Sequence, residues 1–190
     1  MNRFPQISRL ALSAAGLLLV AVTATAQTAQ PAPAAPTAAT QTRIHEADQT
    51  FITDGTKTVS TQRDAARIAD SRTSDSQVKA FAQRVSTEDA KIIQSMRAAS
   101  PRGIDVPAND PDTTVLDSIK TLRGAEFDKA YIEQVALAGQ QKTISAFQAE
   151  IASGRDTKLK EVARQSLPIL QAHYAEAQKL AQRHHLASAQ

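Results

Sequence analysis

The clearest structural signal in the chain is VKAFAQRVSTEDAKIIQSMRAA, residues 78–99. Small or apolar residues recur in it at alternating intervals of four and three positions, which is the spacing of a helix face that packs against other helices. One acid, Asp89, interrupts this face. We expect the helix to begin at Ser74, a residue type that caps helix N-termini. It should end at residues 100–103, where proline and glycine break it.

Three further segments show the same helical pattern, and their composition supports it. Alanine, glutamine, lysine and glutamate dominate after residue 43, glycine is rare, and no segment alternates as a strand does. Gly154 is expected to end the third segment as a C′ residue, and Pro168 is expected to kink the fourth. The predicted helical segments are residues 44–72, 74–99, 124–153 and 156–185.

The order of these segments predicts an all-α fold. Short links join the first segment to the second and the third to the fourth, so each pair is expected to form an antiparallel hairpin. The longer central link contains Pro101, Pro107 and Pro111 and is expected to cross the bundle, with residues 113–122 allowing one short extra helix. The sequence therefore predicts an antiparallel four-helix bundle over residues 43–186 and a frayed tail at 187–190.

The first 26 residues have the pattern of a bacterial signal peptide. Arg3 and Arg9 precede an apolar run over residues 10–22, and the Ala-Thr-Ala at residues 24–26 is a small-x-small cleavage site. We expect the mature chain to begin at Gln27 in the periplasm or the medium, and a peripheral position at the outer membrane is compatible with this pattern. Residues 27–42 are rich in proline and alanine and are expected to form a disordered tether.

Composition excludes several classes of protein. The chain has 22 Lys and Arg and 19 Asp and Glu, so loss of Arg3 and Arg9 leaves it nearly neutral, without the basic stripe that nucleic-acid binding needs. It contains no cysteine, which rules out disulfides, thiolate metal sites and acylation of a cysteine. No later segment is long and apolar enough to predict a membrane span.

The sequence also resembles a known family. LRGAEFDKAY, residues 122–131, resembles the signature L-x-G-x-x-F-D-x-x-Y of the exported bacterial domain-of-unknown-function 4142 family, often labelled predicted outer membrane protein. The resemblance covers about residues 44–180 and implies a ferritin-like fold, without an established biochemical activity. Further matches are Ala47-Asp48 with Phe51, VKAFA at 78–82, and LPIL at 167–170 with His173.

The chain departs from the pattern that the resemblance implies. Family members usually carry a Glu in the first helix and an Asp-His pair in both the second and the third. Here the corresponding position in the first helix is near Gln62, and the two pairs are replaced by EDAK at 88–91 and GQQK at 139–142. A ferritin-like di-iron centre needs Glu-x-x-His on two helices, and the chain contains no such motif.

Three polar residues on the predicted core faces are candidate metal ligands. Asp89, Glu133 and His173 form a two-carboxylate, one-histidine set for iron, manganese or zinc if they lie at one level. The interpretation that we favour is that Asp89 and Glu133 lie at the edges of these faces, in water or paired with Lys or Arg. His173 is then a hydrogen-bonded interior histidine.

The residues leave three functional hypotheses. No nucleophile elbow, phosphate-binding glycine loop or Ser-His-Asp spacing occurs, so the first hypothesis is a non-enzymatic envelope protein that contacts another protein. The second is a ferritin-like metal-binding protein with a degenerate site. The third is a small hydrolase or oxidoreductase that uses such a metal. The missing Glu-x-x-His pairs favour the first.

Overall fold

The computed structural model describes residues 44–186 of the protein, and every regular element in that range is helical. The all-α prediction is confirmed. The predicted leader, tether and tail, residues 1–26, 27–42 and 187–190, lie outside the described residues.

Five helices are present in this range, and two of them contain a π-helical stretch. The first, α1, comprises Glu46–Thr50, the π-helical Phe51–Gly55 and Thr56–Arg72. The fourth, α4, comprises Gly124–Ala130, the π-helical Tyr131–Gly139 and Gln140–Ser153. The others are α2 (Ser76–Ala99), α3 (Thr113–Ile119) and α5 (Thr157–Arg183). The four predicted long segments and the short extra helix are all present.

Some helix features differ from the prediction for local reasons. Asp75 rather than Ser74 caps α2, because its carboxylate accepts the backbone N–H groups of Gln77 at 2.7 Å and Val78 at 3.0 Å. Gly154 follows α4 with a φ of −60°, not in the left-handed conformation of a C′ glycine. Pro168 lies inside the last helix, α5, as predicted.

The four long helices pack in pairs, α1 with α2, α2 with α5, α5 with α4 and α4 with α1. Their buried apolar side chains form two clusters, and each long helix contributes to both. The Phe81 cluster includes Phe127, Tyr131 and Leu180, and the Phe51 cluster includes Phe147, Leu159 and Leu170. Within residues 44–186, no helix combines the length and apolarity needed to cross a bilayer.

Candidate functional site

A layer of buried polar residues lies where the long helices pass from one apolar cluster to the other. Each long helix contributes one residue to this polar layer, and each is at most 3% exposed. Each lies one helical turn after an apolar core residue: Gln62 after Val59 on α1, Asp89 after Val85 on α2, Gln140 after Leu137 on α4, and His173 after Leu170 on α5. The alternation of apolar residues along each helix places these side chains inward, so the layer crosses the middle of the core.

The two glutamines of the layer bind backbone carbonyl groups of neighbouring helices. Gln62 Nε2 donates to the carbonyl oxygen of Val135 at 2.9 Å, and Gln140 Nε2 donates to that of Leu170 at 3.2 Å. Both amides therefore join helices through buried hydrogen bonds.

Asp89 is the least satisfied member of the layer. Its side chain is fully buried, and no donor among the described residues reaches Oδ1 or Oδ2. Burial raises the pKa of Asp89 well above its ordinary value, the nearby Glu88 raises it further, and Arg63 lowers it. The neutral carboxyl is therefore favoured, because an unpaired buried carboxylate is very costly. The expectation that Asp89 lies in water or in an ion pair is wrong.

His173 lies between this buried acid and the partly exposed Glu88. Its Nε2 lies 2.5 Å from Oε2 of Glu88, whose side chain is 34% exposed, and its Nδ1 lies 4.0 Å from Oδ1 of Asp89. Because the Glu88 carboxylate accepts, we assign the hydrogen to Nε2, which leaves Nδ1 with a lone pair. Burial lowers the pKa of His173, and the hydrogen bond to Glu88 opposes that shift. The predicted interior, hydrogen-bonded histidine is confirmed.

Aromatic side chains lie beside Asp89 and His173. Tyr131 is fully buried, its Oη has no hydrogen-bond partner among the described residues, and burial and the charge of Asp89 raise its pKa. Its ring stacks on Phe127 at 5.6 Å and meets the edge of Phe81, which also packs edge-on against His173. Tyr131 therefore belongs to the site, although the sequence indicated only a bulky core residue.

Glu133 does not join the other two candidate metal ligands. It is half-buried and follows Ile132 at the level of the Phe81 cluster, whereas Gln140 is the residue of α4 that reaches the polar layer. Among residues 44–186, no three His, Asp or Glu side chains are grouped so that they can hold one metal ion. Glu88 and Asp89 face opposite ring nitrogens of His173, so they do not converge on one ion either. The donors present do not fit a di-metal centre.

A groove of about 940 Å³ runs between α1 and α4 on the outside of the helical domain. Ala47, Phe51, Ala146 and Ala149 contribute its apolar walls. The helices run antiparallel here, because the Asp48 carboxylate binds the chain just after α4 and Gln62 binds Val135 near the middle of α4. One end of the groove therefore contains Glu46, and the other contains Lys57 and Lys142.

The helical fold and the polar layer together define an all-helical protein with a buried, partly unsatisfied polar centre. Residues 33–180 match the model of the family described as Domain of unknown function (DUF4142), and the chain belongs to that family. The resemblance inferred from the motif at residues 122–131 is confirmed. No curated protein and no solved structure matches the chain.

Proposed function

We propose that this chain is an exported bacterial envelope protein whose ferritin-like four-helix bundle acts without catalysis, by binding another protein. The signal-peptide pattern at residues 1–26 supports export. The cyclic packing of α1, α2, α5 and α4 supports a bundle. The observation that carries the binding role is the apolar-walled groove between α1 and α4, since grooves of this kind accept helices of partner proteins.

The charges along the groove define the partner's chemistry. Glu46 lies at one end, Lys57 and Lys142 lie at the other, and Asp54 lies between them; none of the ion pairs found among residues 44–186 includes these four residues. The occupant that matches is an amphipathic helix with an apolar face, acidic residues at one end and basic residues at the other. The alanines of the walls allow such a helix to approach closely.

Site-specific photo-crosslinking in the native envelope tests this proposal. A crosslinking amino acid at Ala149, in the groove, should capture a helical segment of another protein. The same amino acid at the exposed Ala172 of α5, outside the groove, serves as the control. Equal crosslinking at both positions, or capture of a second copy of this chain at Ala149, would overturn the proposal.

Charge reversal then tests the partner's polarity. The double variant Lys57→Glu/Lys142→Glu should abolish the crosslink at Ala149, and acid-to-lysine changes in the captured helix should restore it. The matched double variant Lys158→Glu/Lys179→Glu changes two exposed lysines outside the groove and should leave the crosslink intact. Equal loss with both double variants would show that net charge, rather than the groove, governs binding.

A second candidate function is metal binding at a degenerate centre. It is favoured by the unpartnered carboxyl of Asp89, whose Oδ1 lies 4.0 Å from the equally unpartnered Nδ1 of His173. Metal analysis of protein purified from its native compartment tests this candidate. Stoichiometric iron, manganese or zinc that is lost in both Asp89→Ala and His173→Ala would support it.

A further inference from the structure

A second buried polar cluster joins the start of α1 to the turn between α4 and α5. Asp48, in the first turn of α1, is 2% exposed. Its Oδ1 accepts the backbone N–H groups of Arg155 at 2.7 Å and Asp156 at 3.0 Å. These two bonds fix the Asp48 side chain as an acceptor, since backbone N–H groups favour the ionised carboxylate.

Glu150, in the last turn of α4, lies against Asp48. It is 1% exposed, its Oε1 packs against Gly154 in the same turn whose N–H groups bind Asp48, and no N–H or O–H donor among the described residues binds its two oxygens. The Glu150 carboxyl can occupy this position only because residue 154 is a glycine. A Cβ at residue 154 would lie 2.2 Å from Oε1 of Glu150. Asp48 has two N–H donors, but Glu150 has none. A proton shared between the two carboxyl groups would give Glu150 a hydrogen bond.

The charged groups around Glu150 come from both neighbouring helices. Asp48 faces it from α1, and Asp156 and Lys160 face it from the start of α5. The Lys160 ammonium already donates to the carbonyl oxygen of Gly154 at 2.9 Å. Burial, followed by the Asp48 carboxylate, raises the pKa of Glu150 to about 7, and Lys160 acts in the opposite direction.

We infer that Glu150 and Asp48 share one proton and form a proton-dependent clasp between α1 and the α4–α5 turn. The proton resides on Glu150, whose O–H donates to the Asp48 carboxylate. When that proton is lost to solvent, two adjacent buried carboxylates remain, and their repulsion opens the clasp. The inference does not depend on the proposed partner of the groove, although Glu150 also lines it.

The pH dependence has a definite sign. Glu150 has an ordinary pKa of 4.5 and a pKa of about 7 in the folded chain. Its contribution to stability is therefore fully present below about pH 4.5 and is lost as the pH rises through about 7. Between about pH 5 and pH 8, Glu150 alone should increase the unfolding equilibrium constant by roughly seventyfold.

Titration and unfolding measurements on the full chain test the clasp. Carboxyl-carbon NMR should place the midpoint of Glu150 near 7 in the native protein, and Asp48→Asn should move that midpoint downward. Glu150→Gln should remove most of the fall in stability between about pH 5 and pH 8. The control Glu126→Gln changes an exposed acid at the other end of α4 and should keep that fall.

Either of two results would overturn the inference. One is a Glu150 midpoint in the native protein near the ordinary 4.5. The other is a Glu150→Gln variant that retains the full pH dependence of the native chain. Because the NMR titration uses the unaltered protein, it decides the question even if a variant does not fold.

Discussion

At the scale of single residues, Asp89 is the one acid of the polar layer, and its surroundings are unfavourable for a charged carboxylate. It occupies a packing position between Val85 and Ile92, yet no described donor binds its carboxyl group. The neutral acid tolerates this position because only the ionised form carries the full cost of burial. His173 is better placed, because Glu88 binds its Nε2.

Replacing Asp89 with leucine should leave the free energy of unfolding at pH 7 unchanged or increase it. An apolar side chain of similar size removes a buried polar group that lacks a partner. Urea unfolding with and without added iron, manganese or zinc measures the effect, and Asp105→Leu, at an exposed loop position, is the control. A loss of more than about 2 kcal/mol that occurs only with metal present would support a metal site instead.

At the scale of helices, the structure departs from uniform α-helix in α1 and α4. Both π-helical stretches end at a glycine, Gly55 and Gly139. A Cβ on Gly139 would lie 2.5 Å from Nε2 of Gln62, the atom that binds the Val135 carbonyl. The Gln62 hydrogen bond therefore depends on the small residue at which the π-helical stretch of α4 ends.

The variant Gly139→Ala should displace the Gln62 amide and destabilise the protein by about 1–3 kcal/mol, because a buried hydrogen bond is lost. The gain in helix propensity, about 1 kcal/mol, offsets part of this cost. In the double variant with Gln62→Ala, the clash is absent, so the two costs should not add. Additive unfolding free energies would show that Gly139 does not act through Gln62.

The start of α2 offers a matched test of the capping residue. Asp75→Ala should reduce the free energy of unfolding by about 1 kcal/mol, because two backbone N–H groups lose their acceptor. Ser74→Ala should change it by less than about 0.5 kcal/mol.

The hydrogen bond from Val78 is the main cause of the lowered pKa of Asp75. The stabilisation should therefore be present above about pH 3.8 and be lost as the pH falls through the lower folded-state pKa. Thermal melts at neutral and acid pH measure both variants.

At the scale of the whole molecule, two apolar clusters with a polar layer between them account for the packing of the helical domain. A layer of this kind can restrict the alignment of helices, because sliding one helix would move a polar residue into an apolar cluster. The near-neutral mature charge predicted from the sequence also disfavours nonspecific binding to nucleic acid.

The proposed export predicts a specific mature chain. Intact-mass measurement of protein from the periplasm or the medium should show a chain beginning at Gln27, because signal peptidase cleaves after the small-x-small site at residues 24–26. A chain from that compartment that retains Met1 would contradict the predicted cleavage.

The sequence by itself determined the helical class and most helix bounds, because these depend on local periodicity, capping residues and breakers such as Pro101 and Gly103. It also identified His173 as an interior, hydrogen-bonded residue, whereas the favoured interpretation that Asp89 lies in water or in an ion pair was wrong. It did not predict that Glu88, rather than Glu133, would bind His173, or that Asp48 would face Glu150. Those contacts depend on the rotation and axial alignment of helices far apart in the chain. Only the tertiary structure decides that alignment, because it follows from the packing of all the helices together.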